Sequence, residues 1–294
     1  MTELKIYDVR ANPGDAAFLA DDGKTSILYD TGFAFTGFEV AKKVKNILSG
    51  RGLDYIFLTH SHYDHALGSV YVKHYFPEAK VVAGEYAVKI FAKPTAKAIM
   101  RDLDRKFALE CGVEQYEDLI DELNVDISVS DGDIIRAGDM EFVVLNLPGH
   151  TKCSVGYYCP ERKLLMSCET IGVYNGSDAV VPSYLVGYEM TLKSIERVQS
   201  LDVESIVIPH YGLSVGDRAK FYLKKAKESA VSNAEEIVAM IKEGKSDHEI
   251  KEWFREKFYH GYIKDIYPVD AMELNTDITI GLLKSEFGLE KKKI

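Results

Sequence analysis

The chain has 294 residues, 46% of them hydrophobic and 28% charged, which is the composition of a folded globular protein rather than of a disordered one. Its formal net charge of -10 argues against the basic surface that nucleic-acid binding requires. No apolar run approaches the ~20 residues of a membrane-spanning helix, and the first residues lack the pattern of a secretory signal. We therefore expect a cytoplasmic protein with no membrane or nucleic-acid partner, with four free cysteines, and with a solvated lysine tail at residues 291–293.

The first half of the chain alternates between strand and helix patterns. Short apolar or alternating runs predict strands at residues 4–9, 16–20, 25–29, 55–58 and 80–83. A hairpin turn is expected at 21–24, and helices are expected at 38–48 and 70–75. Residues from about 94 to 124 are rich in helix formers and charges, and predict a helical insertion or lid.

The second half repeats the alternation and then becomes helical. Strands are predicted at residues 127–129, 141–147, 155–159, 164–168 and 205–208, with a helix at 191–200. From about residue 215 the pattern indicates helices, one or two of them over 217–242. Ser246 and Glu249 form a capping-box pattern for the next helix, and residues 270–273 have a similar pattern for the last. We expect a catalytic unit over residues 1–214 and a helical cap over 215–294 packed on it, in a layered α/β sandwich.

Three of the eight histidines fall within six residues and are interleaved with an aspartate: His60, His62, Asp64 and His65. Imidazole nitrogen and carboxylate oxygen are the ligands that zinc and related metals take. Residues two apart on an extended segment point to the same side, so His60 and His62 can bind one ion together. A solvated polar loop is the alternative, but this run directly follows a buried strand. The cluster therefore predicts a metal site.

Further candidate ligands stand at other predicted strand ends. His150 follows the strand predicted at 141–147, and His210 follows the strand at 205–208. Glu169 comes at the end of the strand predicted at 164–168. Active sites of layered α/β proteins commonly assemble at strand ends, so we expect these three side chains to complete the site.

The combined motif resembles the metallo-β-lactamase superfamily over about residues 1–215. The resemblance rests on the H-x-H-x-D-H run at residues 60–65, on Gly149-His150-Thr151, on His210, and on the early Asp30-Thr31-Gly32 turn. It implies an α/β fold, the four-layer αββα sandwich of that superfamily, here with a helical C-terminal extension. The helical tail also resembles the caps of thioesterase-like members, including the glyoxalase II type.

The resemblance further implies a dinuclear site for two divalent metal ions, zinc first, with iron or manganese as alternatives. One ion would be held by His60, His62 and His150, and the other by Asp64, His65 and His210. The superfamily's bridging aspartate is replaced here by Glu169, which either bridges both ions, binds one, or binds none. Asp178 is the nearest downstream aspartate, but its surroundings predict a turn.

Such a metal pair would activate water for attack on a small-molecule ester, thioester, lactone or amide. Asp64 is the candidate for orienting the nucleophile or shuttling its proton. Tyr63, Tyr174 and Tyr211 are candidates for the substrate pocket. A di-iron redox protein of flavodiiron type, a phosphodiesterase and a metal-retaining regulator are the alternatives. A homodimer is left open.

Overall fold

The computed structural model describes residues 2–290, so the lysine tail at 291–293 lies outside the described residues. Its strands form two six-stranded sheets and one two-stranded ribbon. The first sheet has the order β1 (Lys5–Asp8), β2 (Phe18–Asp21), β3 (Ser26–Tyr29), β4 (Tyr55–Phe57), β5 (Lys80–Gly84) and β6 (Ile127–Val129). Strands β1 to β3 pair antiparallel, and β3 to β6 pair parallel.

The second sheet contains most of the later strands. Its order is β14 (Gly212–Val215), β13 (Ser205–Ile208), β10 (Leu164–Met166), β9 (Val155–Cys159), β8 (Met140–Asn146) and β7 (Ile134–Ala137). Only β10 and β13 pair parallel in this sheet. The ribbon pairs β11 (Val173–Tyr174) with β12 (Val180–Val181).

Helices connect and cover the sheets. Those of the first half are α1 (Gly37–Leu48), α2 (Tyr63–Ala66), α3 (Gly68–Tyr75), α4 (Glu85–Phe91) and α5 (Pro94–Glu110). Those of the second half are α6 (Tyr188–Gln199), α7 (Asp217–Lys242), α8 (Asp247–Phe258), α9 (Tyr262–Ile266) and α10 (Val269–Glu286). Among the described residues, none of these helices is long and apolar enough to cross a bilayer.

Three apolar clusters define the layers. One lies between the two sheets, where Phe57 of β4 stacks on Tyr157 of β9 with ring centroids 4.5 Å apart. A second joins the first sheet to α1, α3, α4 and α5. A third joins the second sheet to α6, α7, α8 and α10. Helices thus cover the outer face of each sheet, and the predicted αββα sandwich with C-terminal helices is confirmed.

One local prediction holds only in part, and another is wrong. The helical insertion predicted over 94–124 is helical only in α5 and in a short 3-10 turn at Ile120–Glu122, because Gly112 at a φ of 79° ends the regular structure. The cap predicted at residues 270–273 is not formed: α10 starts at Val269 after Pro268, with no side-chain cap, and Asp270 instead pairs with Lys106 of α5. By contrast, the capping box of Ser246 and Glu249 is present.

Candidate metal centre

The predicted ligands meet at one end of the sandwich because four strands end there. The residue 60–65 run follows β4, with His65 in the short helix α2. His150 follows β8, Glu169 follows β10, and His210 follows β13. His210 has a left-handed backbone with φ of 60°, and its carbonyl accepts hydrogen bonds from Arg10 and Tyr262.

The side chains form two groups of possible ligands. The first group consists of His60, His62, His150 and Glu169, and the second of Asp64, His65 and His210. Within each group, the ligand atoms lie within 4.8 Å of one another. In the first group, Nδ1 of His62 and Nε2 of His150 are only 3.0 Å apart. Two imidazole nitrogens at that distance need a proton or a cation between them. The division matches the two sets implied by the resemblance.

The carboxylate of Glu169 lies between the two groups. Its Oε2 is 2.8 Å from Nε2 of His150 and 3.4 Å from Nε2 of His65. Its Oε1 is 3.1 Å from Nε2 of His210. The side chain is almost completely buried. One carboxylate therefore contacts imidazoles of both groups, which a bridging ligand must do. Asp178, the alternative, lies in an exposed turn where it accepts a hydrogen bond from Asn175.

The electrostatics of these side chains are strongly coupled. Burial, together with the neighbouring His65 and His62, holds the pKa of His60 well below its ordinary value. Burial alone would raise the pKa of Glu169, but His150, His210 and His60 bring it well below the ordinary value. His60 is thus neutral and Glu169 ionised at pH 7, which are the forms that bind metal ions.

Two buried nitrogen atoms indicate that a cation fits this site. Nε2 of His60 and Nε2 of His65 are fully buried and find no hydrogen-bond partner within residues 2–290. A buried polar atom without a partner is unfavourable by about 1–3 kcal/mol. Five imidazoles and two carboxylates converging around such atoms are a donor set suited to divalent transition metals.

The other ring nitrogen of each buried histidine is held by a partner outside the two groups. Nδ1 of His150 lies 2.8 Å from Oγ of Ser183, and Nδ1 of His210 lies 2.9 Å from the carbonyl oxygen of Gly14. Such partners fix the orientation of metal-binding imidazoles. Sequence reasoning missed Ser183 and Gly14, since each is distant in sequence from its histidine and belongs to no motif.

A cavity of about 310 Å³ opens above the ligands, and His62, Asp64, Glu169 and His210 line its floor. Tyr63 lies in its wall as expected. Tyr174 and Tyr211 are not among its lining residues and instead pack against each other, with ring centroids 4.7 Å apart.

Sequence reasoning missed the tyrosine that the C-terminal helices supply to the same cavity, Tyr267. It precedes α10, and no spacing in the sequence connects it to the histidines.

Comparisons with known proteins identify the family of this chain. The family model of the metallo-beta-lactamase superfamily matches residues 10–210. The acyl-coenzyme A thioesterase MBLAC2 of Homo sapiens is 32% identical over 105 residues, which are 33% of this chain and 37% of that protein. The hydroxyacylglutathione hydrolase of Brucella anthropi is 27% identical over 133 residues, which are 45% of this chain and 39% of that protein. The chain thus spans less than half the length of these curated relatives.

Solved structures show the same fold over nearly the whole chain. A metallo-beta-lactamase family protein from Thermus thermophilus superposes with a TM-score of 0.60 at 18% identity, covering 92% of this chain and 88% of the other. An archaeal metallo-beta-lactamase superfamily protein from Sulfolobus tokodaii superposes with a TM-score of 0.59 at 18% identity. The superposition covers 97% of this chain and 99% of the other. Since the family model covers well over half of the sequence and includes every candidate ligand, the chain belongs to the metallo-beta-lactamase superfamily.

Proposed function

We propose that this protein is a dinuclear metal-dependent hydrolase of a thioester, ester or lactone, acting on a small molecule. The observation that carries the proposal is the position of Glu169, whose carboxylate contacts imidazoles of both ligand groups at the floor of a pocket. These residues would hold divalent ions, which would supply Lewis-acid chemistry that polarises a carbonyl oxygen and makes water a nucleophile near neutral pH. We favour zinc, with iron or manganese as alternatives.

Two groups of the chain itself would act on the reactants. Asp64 lines the pocket floor and can accept the proton of the attacking water. The hydroxyl of Tyr267 accepts a hydrogen bond from Nδ2 of Asn275, so its own proton is available for a substrate oxygen. A hydrogen-bond donor at the pocket would stabilise the negative charge that develops on the carbonyl oxygen.

The relatives support the choice of bond. One matched relative is named as an acyl-coenzyme A thioesterase and another as a hydroxyacylglutathione hydrolase, and both names specify an acyl group. We therefore place thioesters first, before oxygen esters and lactones. The four cysteines are free thiols, three of them buried, which fits the reducing cytoplasm in which we expect the protein.

The test combines metal analysis with a substrate panel. Purified protein should contain close to two transition-metal ions per chain and should hydrolyse at least one member of a panel of thioesters, esters and lactones. His62→Ala should abolish this hydrolysis while the fold persists. His74→Ala is the matched control, because His74 is a partly exposed histidine that pairs with Glu122 away from the site. Protein with no affinity for zinc, iron or manganese, or unchanged turnover in His62→Ala, would refute the proposal.

A further inference from the structure

The cavity above the metal ligands continues outward as a channel between α5 and α10. Leu103 and Phe107 of α5 line one side, and Leu274 and Ile278 of α10 line the other, with Ile266 of α9 and Phe33 beside them. We call this the α5–α10 channel. Its walls are therefore mostly hydrocarbon, whereas its floor consists of the candidate ligands. Pockets that bind small molecules commonly combine apolar walls with a few placed polar groups, in volumes from about 300 Å³ upward.

The charges of the channel leave little to attract an anion. Among the described residues that line it, Lys106 is the one with a lysine or arginine side chain, and it pairs with Asp270 across the two helices. Glu110 adds a negative charge to the wall. A phosphate, sulfonate or carboxylate would need an unpaired cation or several donors to replace its hydration. The walls of the channel, as distinct from its floor, are therefore unsuited to the anionic part of a ligand.

Apolar side chains also continue onto the surface at the mouth of the channel. Leu103 is 41% exposed, Leu274 is 57% exposed and Ile278 is 39% exposed. Single exposed apolar residues are ordinary, but a contiguous group is typical of a binding site. This group leads directly to the metal ligands, so the occupant must place a reactive group at the floor and hydrocarbon along the walls.

We propose that the α5–α10 channel is an acyl-binding site for an uncharged, apolar acyl group, whose carbonyl lies at the candidate metal ligands. This inference rests on the proposed function and adds the substrate class to it. Each methylene that enters the channel strengthens binding about fourfold, since its burial is favourable by about 0.8 kcal/mol.

Binding of unreactive amides tests the site separately from hydrolysis. We would measure butanamide, hexanamide and octanamide by calorimetry on the protein as purified, with octanamide bearing a terminal sulfonate as the charged probe. Affinity should rise from butanamide to octanamide by tenfold or more, and the sulfonate should bind at least tenfold more weakly than octanamide. Equal affinity across the three amides, or tighter binding of the sulfonate, would overturn the proposal.

Two variants locate the binding. Leu274→Asp places a charge in the wall and should weaken octanamide binding tenfold or more. Ala271→Phe adds bulk to the same wall and should weaken the binding of octanamide while leaving the binding of butanamide unchanged. Leu109→Asp is the control, since Leu109 lies on α5 at 61% exposure and outside the channel lining.

The outcomes separate the two proposals. The acyl site would be overturned if Leu274→Asp and Leu109→Asp changed octanamide binding equally. It would also be overturned if Leu274→Asp changed the oligomeric mass but not octanamide binding. Octanamide binding as described, in a protein that hydrolyses none of the thioesters, esters and lactones of the panel, would support the acyl site and count against the proposed hydrolysis.

Discussion

Oδ2 of Asp30 lies 2.9 Å from Nδ1 of His65, and both side chains are fully buried. The same carboxylate accepts hydrogen bonds from the backbone nitrogen and the hydroxyl of Thr59. Oγ of that threonine lies 3.0 Å from Nδ1 of His60. Asp30 therefore orients one histidine of each ligand group. It contacts His65 directly and reaches His60 through the hydroxyl of Thr59. Both histidines are left with Nε2 facing the site.

Asp30→Asn should weaken binding of both metal ions by about 10- to 100-fold, because an amide can no longer accept from both partners in the same way. Zinc titration against a competing chelator measures the effect. Asp133→Asn is the control, since Asp133 is an exposed carboxylate that accepts a backbone hydrogen bond from Ser130. Wild-type zinc affinity in Asp30→Asn would contradict the orienting role.

Glu169→Gln should weaken the binding of both proposed metal ions, whereas His62→Ala should weaken mainly the binding of the ion held by its own group. The reason is that Glu169 contacts imidazoles of both groups, while His62 belongs to one. Glu169→Asp should keep part of the activity, since it keeps the charge. Stoichiometric metal titration and turnover measure these effects. One ion bound as in wild type in Glu169→Gln would show that this carboxylate serves a single ion.

Tyr267→Phe should lower kcat by about 30- to 1,000-fold, with a much smaller change in KM. It removes a donor that the proposed mechanism uses mainly in the transition state, and such donors contribute about 2–4 kcal/mol. Tyr55→Phe is the matched control, because the hydroxyl of Tyr55 donates to the carbonyl of Arg136 and the residue is not among those that line the pocket. A rise in KM alone would assign Tyr267 to substrate binding rather than to charge stabilisation.

Asp104 of α5 should make the stability of the protein fall as pH rises. Burial raises its pKa to about 6, despite hydrogen bonds from Tyr116 and the backbone of Ala34. An aspartate in an unfolded chain has a pKa of ~3.9, so the folded state favours the neutral form. Ionisation therefore destabilises the fold progressively between about pH 4 and pH 6, by about 3 kcal/mol in total.

The variant Asp104→Asn isolates this effect. The free energy of unfolding of wild type relative to the variant should decrease by about 2 kcal/mol from pH 4 to pH 7. Denaturant unfolding at several pH values measures the difference, in which the titration of other groups cancels. A difference independent of pH would contradict the raised pKa.

Gly68→Ala should destabilise the protein by about 1–3 kcal/mol or more. A Cβ at the start of α3 would lie 2.0 Å from the carbonyl oxygen of Thr31, and backbone must move to accommodate it. Gly281→Ala is the opposite case. Its Cβ would meet nothing within 4 Å in helix α10, so it should stabilise by up to about 1 kcal/mol. Thermal unfolding of the two variants should therefore shift in opposite directions.

Local patterns in the sequence identified most of the elements. The boundaries of α7 at 217–242 and of β13 at 205–208 agree with the prediction, because each is a long amphipathic or short apolar run with clear ends. The ribbon of β11 and β12 and the edge strands β7 and β14 had no such signal. Short strands depend on pairing with neighbours, which the sequence of one strand does not contain.

The sequence by itself determined the chemistry of the candidate centre, since imidazoles and carboxylates at strand ends are a property of residue type and local spacing. Only the tertiary structure brought Glu169 between the two groups, as β10 lies beside β13 in the second sheet. The tertiary structure also shows that Tyr267 lines the pocket, whereas Tyr174 and Tyr211, which the sequence suggested, do not. A cavity wall is formed by whichever helices pack above it, and the packing of α10 near α5 depends on contacts more than 160 residues apart in sequence, such as that of Lys106 with Asp270.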